Sequence, residues 1–167
     1  MDQILHPFPP VYDAGSRVLV LGTFPSVKSR EGEFYYHHPR NRFWKVISEI
    51  LGEALPTTIE EKKQLLLNGK IAVWDVIHRC EITGSSDSSI RNVVVNDITS
   101  LLKETQIHEI FANGNTAYQL YMKYINPMTE RDIIKLPSTS PANAACSLEL
   151  LISRWSRLRE ALEDTKG

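Results

Sequence analysis

Four short apolar runs divide the chain, and each ends in turn-forming residues. Arg17-Val18-Leu19-Val20-Leu21 leads into Gly22, and Ile71-Ala72-Val73-Trp74 into Asp75. Glu109-Ile110-Phe111-Ala112 leads into Asn113-Gly114, and Ile133-Ile134-Lys135-Leu136 into Pro137-Ser138. Within the runs the apolar positions are continuous rather than alternating. A strand with one wet face alternates, whereas one covered on both faces does not, so the runs predict a parallel sheet buried on both sides.

Between the runs the period changes to that of a helix. Phe43, Val46, Ile47, Ile50 and Leu51 mark one helix face. Thr58-Ile59-Glu60-Glu61 reads as a capping box that opens a second helix, closed by Asn68-Gly69. Asn96-Asp97 is expected to cap a third helix through Leu101-Leu102, and Asn115 a fourth that carries Tyr118, Leu120, Tyr121 and Tyr124. Leu148, Leu151, Ile152, Trp155, Leu158 and Leu162 form the stripe of a last helix. Strand and helix alternate, which predicts an α/β fold: a three-layer α/β/α sandwich with right-handed crossovers, forming one domain over residues 1–167. The turns Gly22–Ser26, Asp75 to Asp87, Asn113–Asn115 and Pro137–Asn143 all follow strands. They are therefore expected to gather at the carboxyl edge of the sheet, where such folds bind ligands.

Composition narrows the class. Hydrophobic residues make up 42% and charged residues 23%, as in ordinary soluble proteins. No apolar run approaches the roughly 20 residues that span a bilayer, and the first residues do not read as a signal peptide. A cytoplasmic protein is expected. Cys80 and Cys146 are then expected to stay reduced. His78 and Cys80 would share one face of a strand, but no further Cys/His cluster completes a metal site, and none is expected. The net charge of −1 argues against indiscriminate coating of nucleic acid. The charge is uneven, however: Lys28, Arg30, Arg40, Arg42 and Lys45 face only Glu31 and Glu33 within residues 28–45. A local cationic patch suits a grip on a few phosphates.

The same stretch holds Tyr35-Tyr36-His37-His38-Pro39-Arg40-Asn41-Arg42-Phe43-Trp44-Lys45. Rings, an amide and cations placed between a strand and a helix suit a nucleobase and its phosphates. Tyr36 could stack on a base or simply pack beneath the loop. Asn41 could act on substrate or cap the helix that begins at Phe43. Asp75 could contact a base, activate water or cap a turn, and Asp87 reads better as a cap than as a catalyst. Phe43, Trp44 and Trp155 read as core.

Five ordered blocks carry a family resemblance: Ser16–Ser26, Tyr36–Trp44, Ala72–Val76, Gly84–Asp87 and Leu136–Ala142. On these blocks the chain resembles the uracil-DNA glycosylase superfamily, and most closely its hypoxanthine-DNA glycosylase (DNA-deoxyinosine glycosylase) branch. The resemblance implies a central four-stranded parallel sheet. It also implies DNA base-excision repair: an enzyme that hydrolyses the N-glycosidic bond of a flipped deaminated base, foremost hypoxanthine, and leaves an abasic site. It implies no metal and no organic cofactor. The sequence shows no evident Schiff-base lysine, Lys28 reading better as a phosphate contact, so a monofunctional enzyme is expected. The sequence departs from the classical uracil enzymes at Phe24, which stands in the slot of their water-orienting Asp, at Ser26 in a Tyr slot, and at Leu136 in the slot of a His that stabilises the leaving base.

Those departures place catalysis on Asn41, in the position implicated in the hypoxanthine branch, and on Asp75, where the classical enzymes read the base. The base-binding set becomes Gly22, Thr23, Phe24, Pro25, Ser26 and Tyr36. DNA contacts are expected from Lys28, Arg40 and Arg42 and from the loop residues Pro137, Ser138, Thr139, Ser140 and Pro141. The expected partner is DNA containing deaminated bases, bound by a monomer. Uracil or xanthine excision by the same architecture is the enzymatic alternative. A DNA- or nucleotide-binding module that has lost catalysis is the other.

Overall fold

The computed structural model describes residues 3–163. Its centre is a four-stranded parallel sheet built from β2 (Val18–Gly22), β3 (Ile71–Asp75), β6 (Glu109–Asn113) and β7 (Ile134–Leu136), in the order β3-β2-β6-β7. These are the four runs predicted from continuous apolarity, and β2 shows why it is continuous. Val18 and Val20 join the core on one face, while Leu19 and Leu21 join a second core on the other, all fully buried. Covering the first face are α2 (Phe43–Leu51), α3 (Ile59–Asn68) and α7 (Leu148–Glu163), which contribute Phe43, Val46, Ile47, Leu66, Leu151, Trp155 and Leu158. Covering the second are α4 (Ile98–Lys103), α5 (Asn115–Leu120) and the π-helical turn Tyr121–Ile125 that continues it. The remaining helices are the short α1 (Val27–Gly32) and α6 (Asn126–Thr129).

Caps explain most helix ends. Thr58 and Glu61 form the predicted capping box of α3. Asp97 caps α4 by accepting from Ser100 N at 3.1 Å, but its predicted companion does something else. Asn96 is buried, and its amide donates to the carbonyls of Asp75 and Ile77 at 2.8 and 3.1 Å. Asn115 opens α5 from inside the helix; Gly114 occupies the cap position at φ 100°, which only glycine adopts freely.

A second sheet was not legible in the apolar pattern. β1 (Gln3–Leu5), β4 (Ile77–Glu81) and β5 (Arg91–Val95) form an antiparallel sheet in the order β1-β4-β5. The expectation that His78 and Cys80 share a face fails here. The β4–β5 register shifts on either side of Arg79, so Cys80 is buried in the second core while His78 is exposed. Both cysteines are free thiols.

Candidate functional site

The carboxyl ends of β2, β3 and β6 open into a cavity of about 340 Å³. Gly22 to Ser26, Tyr36, Asn41, Asp75, Asn113 and Thr139 line it, with Ser85, Ser86 and Asp87 on one rim and Ser138 and Ser140 on the other. Its size falls within the usual range for small-molecule sites. Larger hollows lie between α2 and α3 (about 480 Å³) and beside Pro137–Asn143 (about 600 Å³). Neither gathers aromatic rings, amides and carboxylates at the strand ends as the first does.

One wall carries charge. β3 ends in Asp75, which is 4% exposed. Its Oδ2 lies 2.8 Å from Nε2 of His6, and its Oδ1 takes no hydrogen bond from the described residues. A methyl group on Gly22 would sit 2.4 Å from that Oδ1 and 3.0 Å from the Tyr36 hydroxyl. Glycine at position 22 thus lets carboxylate and phenol converge over the end of β2. Tyr36 holds a left-handed backbone (φ 52°), which is costly for a bulky residue. One face of its ring stacks on Phe43, with centroids 4.0 Å apart and planes at 22°. Its hydroxyl is buried and has no hydrogen-bond partner among the described residues. Burial, and then the charge of Asp75, push its pKa well above the usual phenol value, against a smaller opposing pull from the Asn113 amide.

The opposite wall is neutral. Asn41 Oδ1 accepts from Phe43 N–H at 2.9 Å and from the Thr139 hydroxyl at 2.8 Å. A backbone N–H can only donate, so this contact fixes which end of the amide is oxygen. Thr139 Oγ1 accepts from Asn113 Nδ2 at 3.0 Å, and Asn113 Oδ1 accepts from Thr139 N at 3.0 Å. Asn41 therefore ties the start of α2 to the loop after β7. Both lone pairs of its oxygen are engaged, and its NH2 has no partner among the described residues. With its carbonyl occupied, Asn41 offers the cavity only its NH2, as a donor.

Residues 9–164 match the family model described as the uracil DNA glycosylase superfamily. The chain belongs to that superfamily. It is 34% identical over 138 residues to a protein named hypoxanthine DNA glycosylase from Methanosarcina acetivorans, an alignment covering 81% of this chain and 86% of the relative. A protein of the same name from Methanosarcina barkeri is 35% identical over 98 residues, 58% of this chain and 61% of the relative. An NMR solution structure of a protein assigned as a uracil DNA glycosylase, also from Methanosarcina acetivorans, superimposes with a TM-score of 0.80. It is 32% identical and covers 93% of this chain and 96% of its own.

Within this superfamily fold the expected site residues separate by role. All six of the base-binding set line the cavity, as do Asn41 and Asp75. Ser26 also caps α1 by accepting from Ser29 N at 3.2 Å. The DNA-contact set is revised at two positions. Arg42 is not free for a phosphate: its guanidinium donates to the carbonyls of Ser140 and Asn143 at 3.0 Å each, and to that of Cys146. Arg42 clamps the loop after β7. Thr139 is 0% exposed and wholly engaged inside the molecule, so it holds the wall and cannot reach DNA. Lys28 is exposed, 3.8 Å from Glu31, and Arg40 is exposed. Pro137 gives its carbonyl to the Trp155 indole at 2.9 Å, and Ser138 and Ser140 stand at the cavity rim. Pro141 lies in the same loop, half-buried.

Asp87 does not cap a helix with its side chain. It begins a short 3-10 turn at the rim. The residue is exposed, and partial desolvation at the rim and then the nearby Asp75 raise its carboxyl pKa against an opposing pull from Thr116. Two contributors were missed by sequence reasoning. Asn113 had been noted only as part of a turn, and His6 reaches Asp75 from 69 residues away. Among the described residues no group of three or more His, Cys, Asp or Glu could hold a metal, and no helix is long and apolar enough to cross a membrane.

Proposed function

We propose that this protein is a DNA glycosylase that excises a deaminated base, foremost hypoxanthine, and leaves an abasic site. The observation that carries this reading is the meeting of Tyr36, Asp75 and Asn41 around one cavity at the strand ends. A base inside a duplex cannot be attacked, so the nucleotide swings out, at a cost of a few kcal/mol that is smaller for a weakened pair. Tyr36, which lines the cavity with Phe43 bracing one face of its ring, supplies the stacking surface for the flipped purine in this reading. Aromatic–base stacking contributes about 1–3 kcal/mol.

Hypoxanthine presents a donor at N1–H, and Asp75 Oδ1 is an anionic acceptor on the cavity side. Adenine carries a lone pair at N1 and would meet the same oxygen with repulsion. As the glycosidic bond breaks, negative charge grows on the departing base, and the Asn41 NH2 is positioned to donate to it. A fixed donor of this kind is worth about 10²–10³ in rate. Lys28 and Arg40, with Ser138 and Ser140, supply backbone contacts that set register on the duplex. The enzyme works as a cytoplasmic monomer in this reading.

End-labelled duplexes carrying inosine, uracil, xanthine or adenine, treated with the protein and then with alkali, test the proposal. Strand breaks at inosine well above those at adenine are expected. Retarded mobility without breaks at any base would leave only a binding module.

A further inference from the structure

His6 belongs to no part of the chemistry described so far, and it lies before residue 9, where the match to the superfamily begins. β1 delivers it. Gln3, Ile4 and Leu5 pair with Glu81, Cys80 and Arg79, and His6 N donates to the His78 carbonyl at 2.7 Å. β4 starts two residues after Asp75, so zipping β1 onto it brings the imidazole beside that carboxylate. The two side chains are 2% and 5% exposed. The His6 ring sits in a cage of Phe8, Phe24 and Tyr35, with centroids 4.8, 6.0 and 5.8 Å away. Its Nδ1 is buried without a hydrogen-bond partner.

That bare nitrogen decides the tautomer. A buried N–H with nothing to receive it costs more than a bare acceptor lone pair, and a charged ring would add its own desolvation. The inexpensive state places the proton on Nε2, facing Asp75, and leaves the ring neutral. Asp75 then keeps its negative charge, with Oδ2 held and Oδ1 turned to the cavity.

We propose that His6 is a positioning residue for base recognition: its Nε2–H fixes the Asp75 carboxylate so that Oδ1 is a stationary anionic acceptor for an N–H of the flipped base. This rests on the glycosylase reading above. The titratable groups that face Asp75 are His6 from the segment after β1, Tyr35 and Tyr36 from the loop before α2, and Asp87 from the rim. Of these, His6 is the one that donates to the ionised carboxylate. Without that donor, nothing among the described residues holds Oδ2, and Oδ1 is no longer fixed toward the cavity.

The test is single-turnover excision of inosine and of adenine by the wild type, His6→Phe and His6→Gln. Phenylalanine keeps a ring in the cage and removes the donor; the glutamine amide restores a neutral donor. His6→Phe should lower the inosine rate at least about tenfold and shrink the preference for inosine over adenine. His6→Gln should restore most of both. An unchanged rate and preference in His6→Phe, or a glutamine variant indistinguishable from it, overturns the assignment while leaving the glycosylase reading intact. If the phenylalanine variant does not fold, ¹⁵N shifts of the His6 ring in the wild type decide instead. A neutral ring protonated at Nε2 near pH 7 is expected, and an imidazolium there refutes the idea. Absence of abasic product from every deaminated duplex with the wild type would end both readings.

Discussion

The two walls of the cavity are built on opposite economies of hydrogen bonding. On the wall formed by Asn41, Thr139 and Asn113, every oxygen is engaged, and three separate chain segments lock together through neutral groups. On the wall formed by Asp75, His6 and Tyr36, one oxygen of the carboxylate, one ring nitrogen and one hydroxyl remain without partners among the described residues. Buried polar groups are normally satisfied, so unpaired ones in a native structure call for an explanation. The saturated wall behaves as scaffold with a single outward donor. On the unsaturated wall Asp75 Oδ1 is the atom left to take a hydrogen bond from a ligand, while the His6 nitrogen and the Tyr36 hydroxyl are shut away from solvent.

Asp75→Asn should break this division most severely. The His6 N–H would hold the new amide by its oxygen, which turns the NH2 into the cavity. A donor would then face the N1–H of hypoxanthine. Excision of inosine should fall by at least about a hundredfold, as expected where a site's buried polar groups lose their match, and discrimination against adenine should shrink. Rates on paired inosine and adenine duplexes measure both. Equal losses on the two bases would show that Asp75 does not read N1.

Asn41→Asp sharpens the contrast on the other wall. It keeps oxygens for Phe43 N–H and the Thr139 hydroxyl, and a negative charge at the start of α2 suits the helix dipole. Only the NH2 is lost. Turnover should drop about a hundredfold with little change in melting temperature. Asn41→Ala should lose both, with a stability cost of about 1 kcal/mol from the lost hydrogen bonds to Phe43 N–H and the Thr139 hydroxyl. If the Asp variant keeps full turnover, Asn41 is scaffold alone.

These two walls also mark where sequence was a sufficient guide. The four strands were readable because burial on both faces leaves a continuous apolar signature, and their ends located the cavity through chain topology. That Asp75 lines the cavity was readable from the strand it ends, and that Tyr36 and Asn41 do was readable from the aromatic- and cation-rich stretch before α2 and the family resemblance it carries. The role of Arg42 was not, since a cation that clamps three carbonyls and one that meets phosphate look alike along the chain. Thr139 is as polar in sequence as its neighbours Ser138 and Ser140, and only packing distinguishes the buried member. His6 left no local trace. Its partner lies 69 residues away, and the strand that carries it is three residues long with mixed burial. The small antiparallel sheet escaped for a related reason: the β4–β5 register shifts erase the alternation that would have announced it.

Thr139→Val tests whether the neutral wall is as saturated as its geometry indicates. Valine preserves shape and removes the hydroxyl. Asn113 Nδ2 would lose its acceptor and Asn41 Oδ1 one of its two donors. Leaving a buried group unpaired costs about 1–3 kcal/mol, which denaturant titration would register. An unchanged midpoint would mean that the network relaxes around the substitution and that the wall is not the rigid element described.

The smallest effect should come from Tyr36→Phe, and its sign is the informative part. The hydroxyl is buried beside Asp75 without a partner, so removing it should leave stability unchanged or raise it by up to about 1 kcal/mol. The ring that stacks on Phe43 stays in place. The hydroxyl is shut away from solvent, so binding of inosine DNA and of undamaged duplex should both stay unchanged. A loss of stability in the free protein would show that the hydroxyl is already satisfied there, and the distinction between a closed wall and an open one would then rest on Asp75 and His6 alone.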